Sequence, residues 1–529
     1  MSRPDPEHVG PVVVVGGGPV GLTFALELAH HGVASTLIEP RTVVEHSRPR
    51  AKTVSARSME LLRRLGAADE IRRRAALPVE WSDAIRFCTT AAGTEITRLT
   101  RVLGLELAGS DLTSEAAQQV TQPVVEEALR DLIEREPLVT TRFGSTATAV
   151  DVRDDGARVT IVTAGAETVL AAGYVVGADG SRSVVRPAIG ARYEGAAGGR
   201  PNVNITFRSR ELAGLLPPAV HHWVLNPAAP GVIGPLDLHG TWWSIATGVE
   251  TIADDAEAAS VVRALVGADI DVEVLATDPW QARMLLSDAY ARGRGFLVGD
   301  AAHQNPPWGG HGFNTGVGDA VNLAWKLAAV VRGWAPPALL DSYEAERRPV
   351  AQQTIDLAAA NMRALSIDLS SPAVMLDGPE GVAARAAAAA AIPAVKHAEF
   401  YSRGLVLGYG YGPDAAAQAP SPDVYLPIAQ PGNRLPHSRN TAGASLFALL
   451  GTELTVLGAQ TSGWTDAAAR RGIPLTHADP VAHGFPPVAG DDVVLVRPDQ
   501  HIAWRGPGTA DPGVALDSAV RGFSTDELT

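Results

Sequence analysis

Three glycines spaced Gly16-x-Gly18-x-x-Gly21 lie between the valine run Val12–Val15 and the helical-looking LTFALELAHH. Glycines so placed have separate jobs. Gly16 permits a tight turn, Gly18 lets a pyrophosphate approach the backbone, and Gly21 lets the helix pack on the sheet. With Pro19 and Val20 between them, they form a turn that opens a helix, where free amides and the helix dipole favour an anion. The spacing alone is weak evidence. Here a strand precedes it, a helix follows it, and Glu39 ends the next strand 18 residues past Gly21. Glu39 can accept hydrogen bonds from both hydroxyls of a ribose, and its charge disfavours a 2′-phosphate. Arg41, after Pro40, serves either the adenine or a phosphate, or is a solvated surface arginine.

A second segment, FLVGDAAHQNPPWGGHGFNTG at 296–316, gives up backbone order between a strand and a helix. Asp300 ends that strand, ready to bond a polyol hydroxyl. Gly309, Gly310, His311, Gly312, Phe313 and Asn314 would present consecutive amides at a helix start, a favourable place for negative charge. His303 and His311 have no partner set with metal-ligand spacing, so no metal is expected; His303 reads as a hydrogen-bonded structural histidine. A third segment, YVVGADGSRSVVR, delivers Asp179 and Gly180 at the end of a strand. It is either part of the same site or a plain strand–turn–helix connection with a serine cap.

These residues need a scaffold. At 529 residues the chain is too long for one ordinary domain, and its 46% apolar and 19% charged composition is that of a globular protein. The net charge of −14 argues against a nucleic acid or an anionic membrane surface as partner. Among the basic residues only Lys52, Lys326 and Lys396 are lysine, a bias we attribute to genome composition. Cys88 is the only cysteine, which excludes intrachain disulfides and dithiol relays. The N-terminal MSRPDPEHVG has no apolar signal core, and a cytoplasmic location is expected.

The pattern predicts an α/β chain with a discontinuous dinucleotide-binding domain over 1–200 and 291–370. A β-rich substrate domain over 201–290 is inserted within it, holding Trp223, Trp242, Trp243 and Trp280. Helices are expected at 56–65 and 124–136, and a hairpin turn at Asp154-Asp155-Gly156. A helical connector follows over 371–399, with its alanine run ended by Pro393. A C-terminal domain is expected over 400–504 and a partly ordered tail over 505–529.

Taken together and in this order, GGGPVGL, GADGSRSVVR, GDAAHQNPPWGGHGFNTGVGDAVNLAWKLA and SYEAERRPV resemble the class A flavoprotein aromatic monooxygenases, the p-hydroxybenzoate and phenol hydroxylase superfamily. The likeness covers roughly residues 10–365. Beyond it, YSRGLVLGY, PGNRLPH and VLVRPDQHIAWR look like the thioredoxin-like C-terminal domain of the phenol hydroxylase branch, which includes many polyketide hydroxylases. Without a cysteine that domain would be a packing or dimerisation element, and a homodimer is left open.

The resemblance implies a Rossmann-like FAD-binding domain of the glutathione-reductase type. FAD would lie on Gly16, Gly18, Pro19, Val20 and Gly21, with Glu39 on the adenosine ribose. Arg50 looks like the family arginine near the pyrophosphate, and Gln122 like the family glutamine on the flavin side. Asp300 would take the ribityl chain, and the amides of Gly312, Phe313 and Asn314 the pyrimidine edge of the ring. Asp179 and Gly180 are associated in this family with both FAD and NAD(P)H. The chain departs from many relatives at His311 and Phe313, and Trp308 is bulky.

The implied activity is hydroxylation of a phenolic or polyketide-type aromatic substrate through a flavin C4a-hydroperoxide, with NADPH or NADH as reductant and O2 as co-substrate. No catalytic acid or base is assigned. His221, His222 and His239 could polarise a phenol, and His222, Trp223, Trp242, Pro307 and Trp308 are the candidates for the substrate pocket. Alternatives are Baeyer–Villiger oxygenation of a ketone on the same fold and a non-catalytic FAD-binding protein.

Overall fold

The structure is a computed structural model that describes residues 7–8, 10–365, 371–412, 421–459 and 461–523. Residues 524–529, the end of the expected tail, lie outside the described residues.

The valine run and the strands it predicts form the centre of a six-stranded sheet. Its order is Ala291–Arg292, Gly295–Leu297, Tyr174–Gly177, Val12–Val15, Ser35–Glu39, Val139–Phe143, parallel apart from the first short edge pair. Strands buried on both faces read as unbroken apolar runs, which is why VVVV and YVV carry no alternation. The helices Pro19–His30 and Gly312–Val331 pack against each other over this sheet. Gly316 faces Val20 and Gly299 so closely that an added Cβ would sit 2.7 Å from a Val20 methyl and 3.0 Å from the Gly299 Cα. In consequence the glycine turn, Asp179, Asp300 and Glu39 all stand at the carboxyl ends of adjacent parallel strands, where open α/β sheets bind ligands.

The Asp154-Asp155-Gly156 turn joins Ser145–Arg153 to Gly156–Thr163, with Gly156 opposite Arg153. The helices expected at 56–65 and 124–136 run Ala56–Arg63 and Gln122–Ile133.

The β-rich block is an eight-stranded sheet wider than the 201–290 segment. Strand Tyr193–Arg208 starts inside the region assigned to the first domain, and Ile85–Cys88 with Glu95–Leu99 form its far edge. Ile85–Cys88 pairs in parallel with His221–Val224. Pairing of this kind leaves no local signal, because these two strands lie more than a hundred residues apart.

The connector is also more than a connector. One helix runs Gly378–Phe400 straight through Pro393. Proline removes one helical hydrogen bond, yet Ile392 just before it and Lys396, Glu399 and Phe400 beyond it are all buried, and that packing holds the helix together.

The C-terminal domain has the strand order Leu475–Ala478, Leu454–Leu457, Asp492–Val496, Ile502–Pro507. The first pair is parallel and the others antiparallel, a thioredoxin-like arrangement. Segment 505–523 is not a tail. Strand Ile502–Pro507 and helix Pro512–Ala519 complete the domain, and Ala515, Leu516 and Ala519 fill its core beside Trp325.

A buried ionic network fastens this domain to the first. Arg497 donates to Glu346 through Nη1 at 2.8 Å and Nη2 at 2.7 Å, and to Asp499 at 2.6 Å. Lys326 reaches Glu346 at 2.7 Å, and Arg434 donates to Glu60. Among the described residues no helix is long and apolar enough to cross a membrane.

Candidate active site

One cavity of about 1370 Å³ runs from the glycine turn to the inner face of the eight-stranded sheet. That exceeds the usual range for a single small ligand, roughly 300–1,000 Å³. It has a polar, strand-end half and an aromatic half.

In the polar half, Gly16 has φ +107°, and a Cβ there would lie 2.3 Å from the Ala178 carbonyl oxygen, so only glycine fits. Gly18, by contrast, has nothing within 4 Å of where its Cβ would be, although its backbone is ordinary. The space it leaves belongs to the cavity. Helix Pro19–His30 begins there with no side-chain cap, leaving its first amides available. Gly21 does not line the cavity; a Cβ would meet the Gly16 oxygen at 2.0 Å, so its role is close packing of helix on turn.

Glu39 closes this end. One oxygen accepts from the Gly17 amide at 2.8 Å, and the other from Arg41 Nε at 2.6 Å. Arg41 also pairs with Glu126 at 2.9 Å, so it is neither free nor simply solvated. Pro40, Arg50 and Gln122 line the same wall; Arg50 is in the left-handed region at φ +51°, and the Gln122 amide donates to Ala51 O at 2.8 Å beside it.

Asp179 Oδ2 accepts from the amides of Val184 at 2.7 Å and Val185 at 3.3 Å, which starts the short helix Val185–Ala188. Its Oδ1 is buried without a partner and belongs to a residue lining the cavity with Gly180. A buried acceptor without a partner fits a ligand donor. Burial raises the Asp179 carboxyl despite the hydrogen bonds that lower it.

Asp300 opens on the cavity but is surrounded by protein, and burial raises its carboxyl, with His303 and Arg50 pulling the other way. The loop carrying it is braced from several sides. Arg186 donates to Ala301 O at 3.0 Å, and the Tyr193 hydroxyl donates to Asp300 O. Below, Asp319 accepts from the Gly299 amide at 3.1 Å and from Arg347 Nε at 2.9 Å, and bonds His303 at 2.8 Å. His303 is thus a structural histidine. The motifs GADGSRSVVR and SYEAERRPV work through these braces.

Pro307, Trp308, Gly310, His311, Gly312 and Phe313 line the cavity where its halves meet. Burial pushes His311 down to about 4, so its ring is neutral near pH 7. Asn314 does not line it. Its side chain is spent internally, accepting from the Ser55 amide at 2.8 Å and donating to Gly310 O at 2.7 Å.

The aromatic half differs from expectation by one residue on two strands. His222 and Trp242 face away from the cavity, Trp242 in the core under helix Asp255–Val266 with its indole donating to Ser209 O at 3.1 Å. Their neighbours His221 and Trp243 face in, with Trp223. Strand alternation makes such a choice all or nothing, and HHWV and TWWS give no register from composition. His221 lies 5.9–6.0 Å, centroid to centroid, from Trp223, Trp243 and Phe400. Burial, His222 and Lys52 push its ring down to about 3. His239 is exposed. Trp308 packs on Trp280 at 5.8 Å, and both line the cavity.

Sequence reasoning missed Lys52, Trp280 as a wall, and Glu399 with Phe400 from the supposed connector. Lys326 and Lys396 are buried in ion pairs and Lys52 lines the cavity; the rarity of lysine among 44 basic residues was the one signal available.

The glycine turn with its free helix-start amides, the carboxylates of Glu39, Asp179 and Asp300, and the aromatic chamber beyond them line one continuous cavity. A family profile described as "FAD binding domain" matches residues 10–358, and one described as "Aromatic-ring hydroxylase, C-terminal" matches 429–523. The 4-methyl-5-nitrocatechol 5-monooxygenase of a Burkholderia species is 32% identical over 98% of this chain and 99% of its own.

Among solved structures, RebC with bound 7-carboxy-K252c superposes with a TM-score of 0.87 at 33% identity, over 98% of this chain and 99% of that one. The flavin-dependent monooxygenase PieE, in complex with FAD and substrate, gives 0.87 at 29% identity over the same shares. The chain belongs to the FAD-dependent aromatic-ring hydroxylases. It is an enzyme that binds FAD and uses NAD(P)H and O2 to hydroxylate an aromatic substrate.

Proposed function

We propose that the substrate is a multiring phenol of polyketide type and that the two halves of the cavity hold FAD and this substrate together. The observation that carries the proposal is the volume of about 1370 Å³, continuous from the glycine turn to a chamber walled by Trp223, Trp243, Trp280, Trp308 and Phe400. A single phenol ring would leave much of that chamber wet.

FAD, when bound, supplies hydride acceptance from NAD(P)H and the activation of O2 for transfer of one oxygen to the ring. This chain's residues do the rest. Gly16, Gly18 and the first amides of helix Pro19–His30 receive the pyrophosphate, and Glu39 the ribose. Asp300 receives the ribityl hydroxyls and Asp179 Oδ1 a further donor. The amides at the start of helix Gly312–Val331 would face the flavin ring and would favour negative charge on it. Tryptophan walls orient the substrate ring and exclude water, which protects the activated oxygen from unproductive loss. His221, neutral and with its Nε2 unpartnered, is a polar group available to a ring hydroxyl among those walls. We place the enzyme in the cytoplasm, where its NAD(P)H is made.

The test is NAD(P)H consumption by the FAD-loaded enzyme with a panel running from phenol through naphthols to hydroxyanthraquinones, followed by product mass. The proposal expects the multiring phenols to accelerate consumption most and to gain one oxygen. Preference for single rings would contradict the substrate class.

A further inference from the structure

The aromatic chamber contains one cation whose counter-charge is missing. Lys52 lines the cavity with its ammonium 4.1 Å from the centre of the Trp243 ring. The other two lysines are each neutralised: Lys326 by Glu346 at 2.7 Å and Lys396 by Glu399 at 2.8 Å. Among the described residues no carboxylate pairs with Lys52. Glu399 lines the same cavity but is engaged by Lys396. His221, the nearby titratable ring, is neutral. Burial alone draws the Lys52 ammonium down to about 8. Lys52 is half-buried, and a partly desolvated charge without a carboxylate partner carries a cost that the indole face offsets in part. A chain that otherwise uses arginine keeps a compact point charge here.

The placement is firm. Thr53–Val54 pairs with Gln118–Gln119, and the Val120 amide donates to Lys52 O at 3.1 Å. Next to it, Asn314 accepts from the Ser55 amide and donates to Thr53 O at 3.3 Å. Lys52 is therefore tied to the helix start that lines the junction of the two halves, with its head among Trp243 and the chamber walls. Arg200 and Arg283, which also line the cavity, are exposed and are not equivalents.

We propose that Lys52 is the anchor for an ionised oxygen on the substrate ring, so that the enzyme selects aromatic anions, phenolates or ring carboxylates, over neutral rings of the same size. This deepens the reading of the chamber as the substrate site and rests on it. A charged oxygen would supply the missing partner through a charge-assisted hydrogen bond in a chamber poor in water.

The test uses FAD-loaded enzyme near pH 7, below the value of about 8 at which Lys52 loses its proton, and three naphthalene probes: 1-naphthoate, 2,4-dichloro-1-naphthol, whose chlorines bring its ionisation close to neutrality, and 1-naphthalenemethanol as the neutral control. Binding is read from the perturbation of the flavin absorbance. The proposal expects the wild type to bind at least one anion ten-fold or more tightly than the neutral probe; the naphthoate and naphtholate arms tell which oxygen. Lys52→Met should erase that preference with the neutral probe little changed, and Lys52→Arg should retain part of it; FAD content and melting temperature verify the fold.

Equal weakening of all three probes in Lys52→Met, or an undiminished preference, would overturn the proposal. Should Lys52→Met not fold, the wild-type comparison decides: no preference for either anion sinks it, while binding of the neutral probe leaves the aromatic chamber standing. If no ring perturbs the flavin at all, the reading of the chamber fails, and this inference with it.

Discussion

The Glu39 carboxylate accepts a hydrogen bond from the Gly17 amide at 2.8 Å, so the acid we propose for the ribose also fastens the glycine turn we propose for the pyrophosphate. A Cβ on Gly17 would lie 2.7 Å from the Glu39 Cβ, so the two strand ends are in direct contact. Replacing Glu39 with alanine should therefore weaken FAD binding through both the ribose and the turn. Hydrogen bonds to charged groups contribute about 1.5–3 kcal/mol each, which corresponds to roughly ten- to hundred-fold in affinity. Titrating apoprotein with FAD and following quenching of flavin fluorescence measures it. Affinity within two-fold of wild type would contradict the assignment.

Gly16 and Gly18 separate folding from cofactor binding. Gly16→Ala forces a Cβ against the Ala178 carbonyl at a left-handed φ and should yield little folded protein. Gly18→Ala adds a methyl where nothing lies within 4 Å. Its apoprotein should melt within a few degrees of the wild-type apoprotein and yet retain little FAD after gel filtration. A Gly18→Ala protein that keeps its full FAD complement would show that the pyrophosphate lies elsewhere.

Asp300→Ala should fold, since the braces on its loop run through Asp319, Arg186 and Tyr193 rather than through the Asp300 carboxylate. It should be purified with little bound FAD, read from the ratio of visible to ultraviolet absorbance. A fully yellow, normally active variant would remove Asp300 from the site.

The network between the first and C-terminal domains sets the acid limit of the fold. Burial alone would raise the Glu60 and Glu346 carboxyls. Arg434 and Arg57 outweigh it at Glu60, and Arg497 and Lys326 at Glu346, bringing both down to about 2. Both groups bind a proton more weakly folded than unfolded. Their stabilisation is thus complete above the usual value of 4.5 and drains away as pH falls toward 2. Denaturant unfolding at a series of pH values should show stability falling steeply over that window, with a shallower fall in Glu60→Gln. Removing Arg497 instead, as Arg497→Met, leaves buried carboxylates uncompensated and should cost about 3–5 kcal/mol at neutral pH. A loss below about 1 kcal/mol would mean that the Arg497 pairs do not hold the two domains together.

Most of the residues lining the polar half of the cavity were legible in the sequence because they come in short local runs. A glycine turn, an acid at a strand end and a glycine-rich helix start are each contained within a few consecutive residues. The aromatic half was not. Its walls come from strands 221–224 and 241–247, helix 378–400 and the loop at 307–308, which meet only in three dimensions. A one-residue error of register exchanged His222 for His221 and Trp242 for Trp243. An alanine-rich helix with a proline in it read as a linker because local propensity cannot report that Phe400 and Glu399 are buried against a distant sheet. Lys52 gave only its rarity.

The central claim is that one cavity brings FAD and an aromatic ring together for transfer of oxygen from O2. Turnover under ¹⁸O2, with NAD(P)H and a multiring phenol that accelerates its consumption, tests it most directly by the mass of the product. The claim predicts a product carrying one atom of ¹⁸O on an otherwise intact ring. A product labelled only from solvent water, or NAD(P)H consumption that no aromatic compound changes, would contradict it.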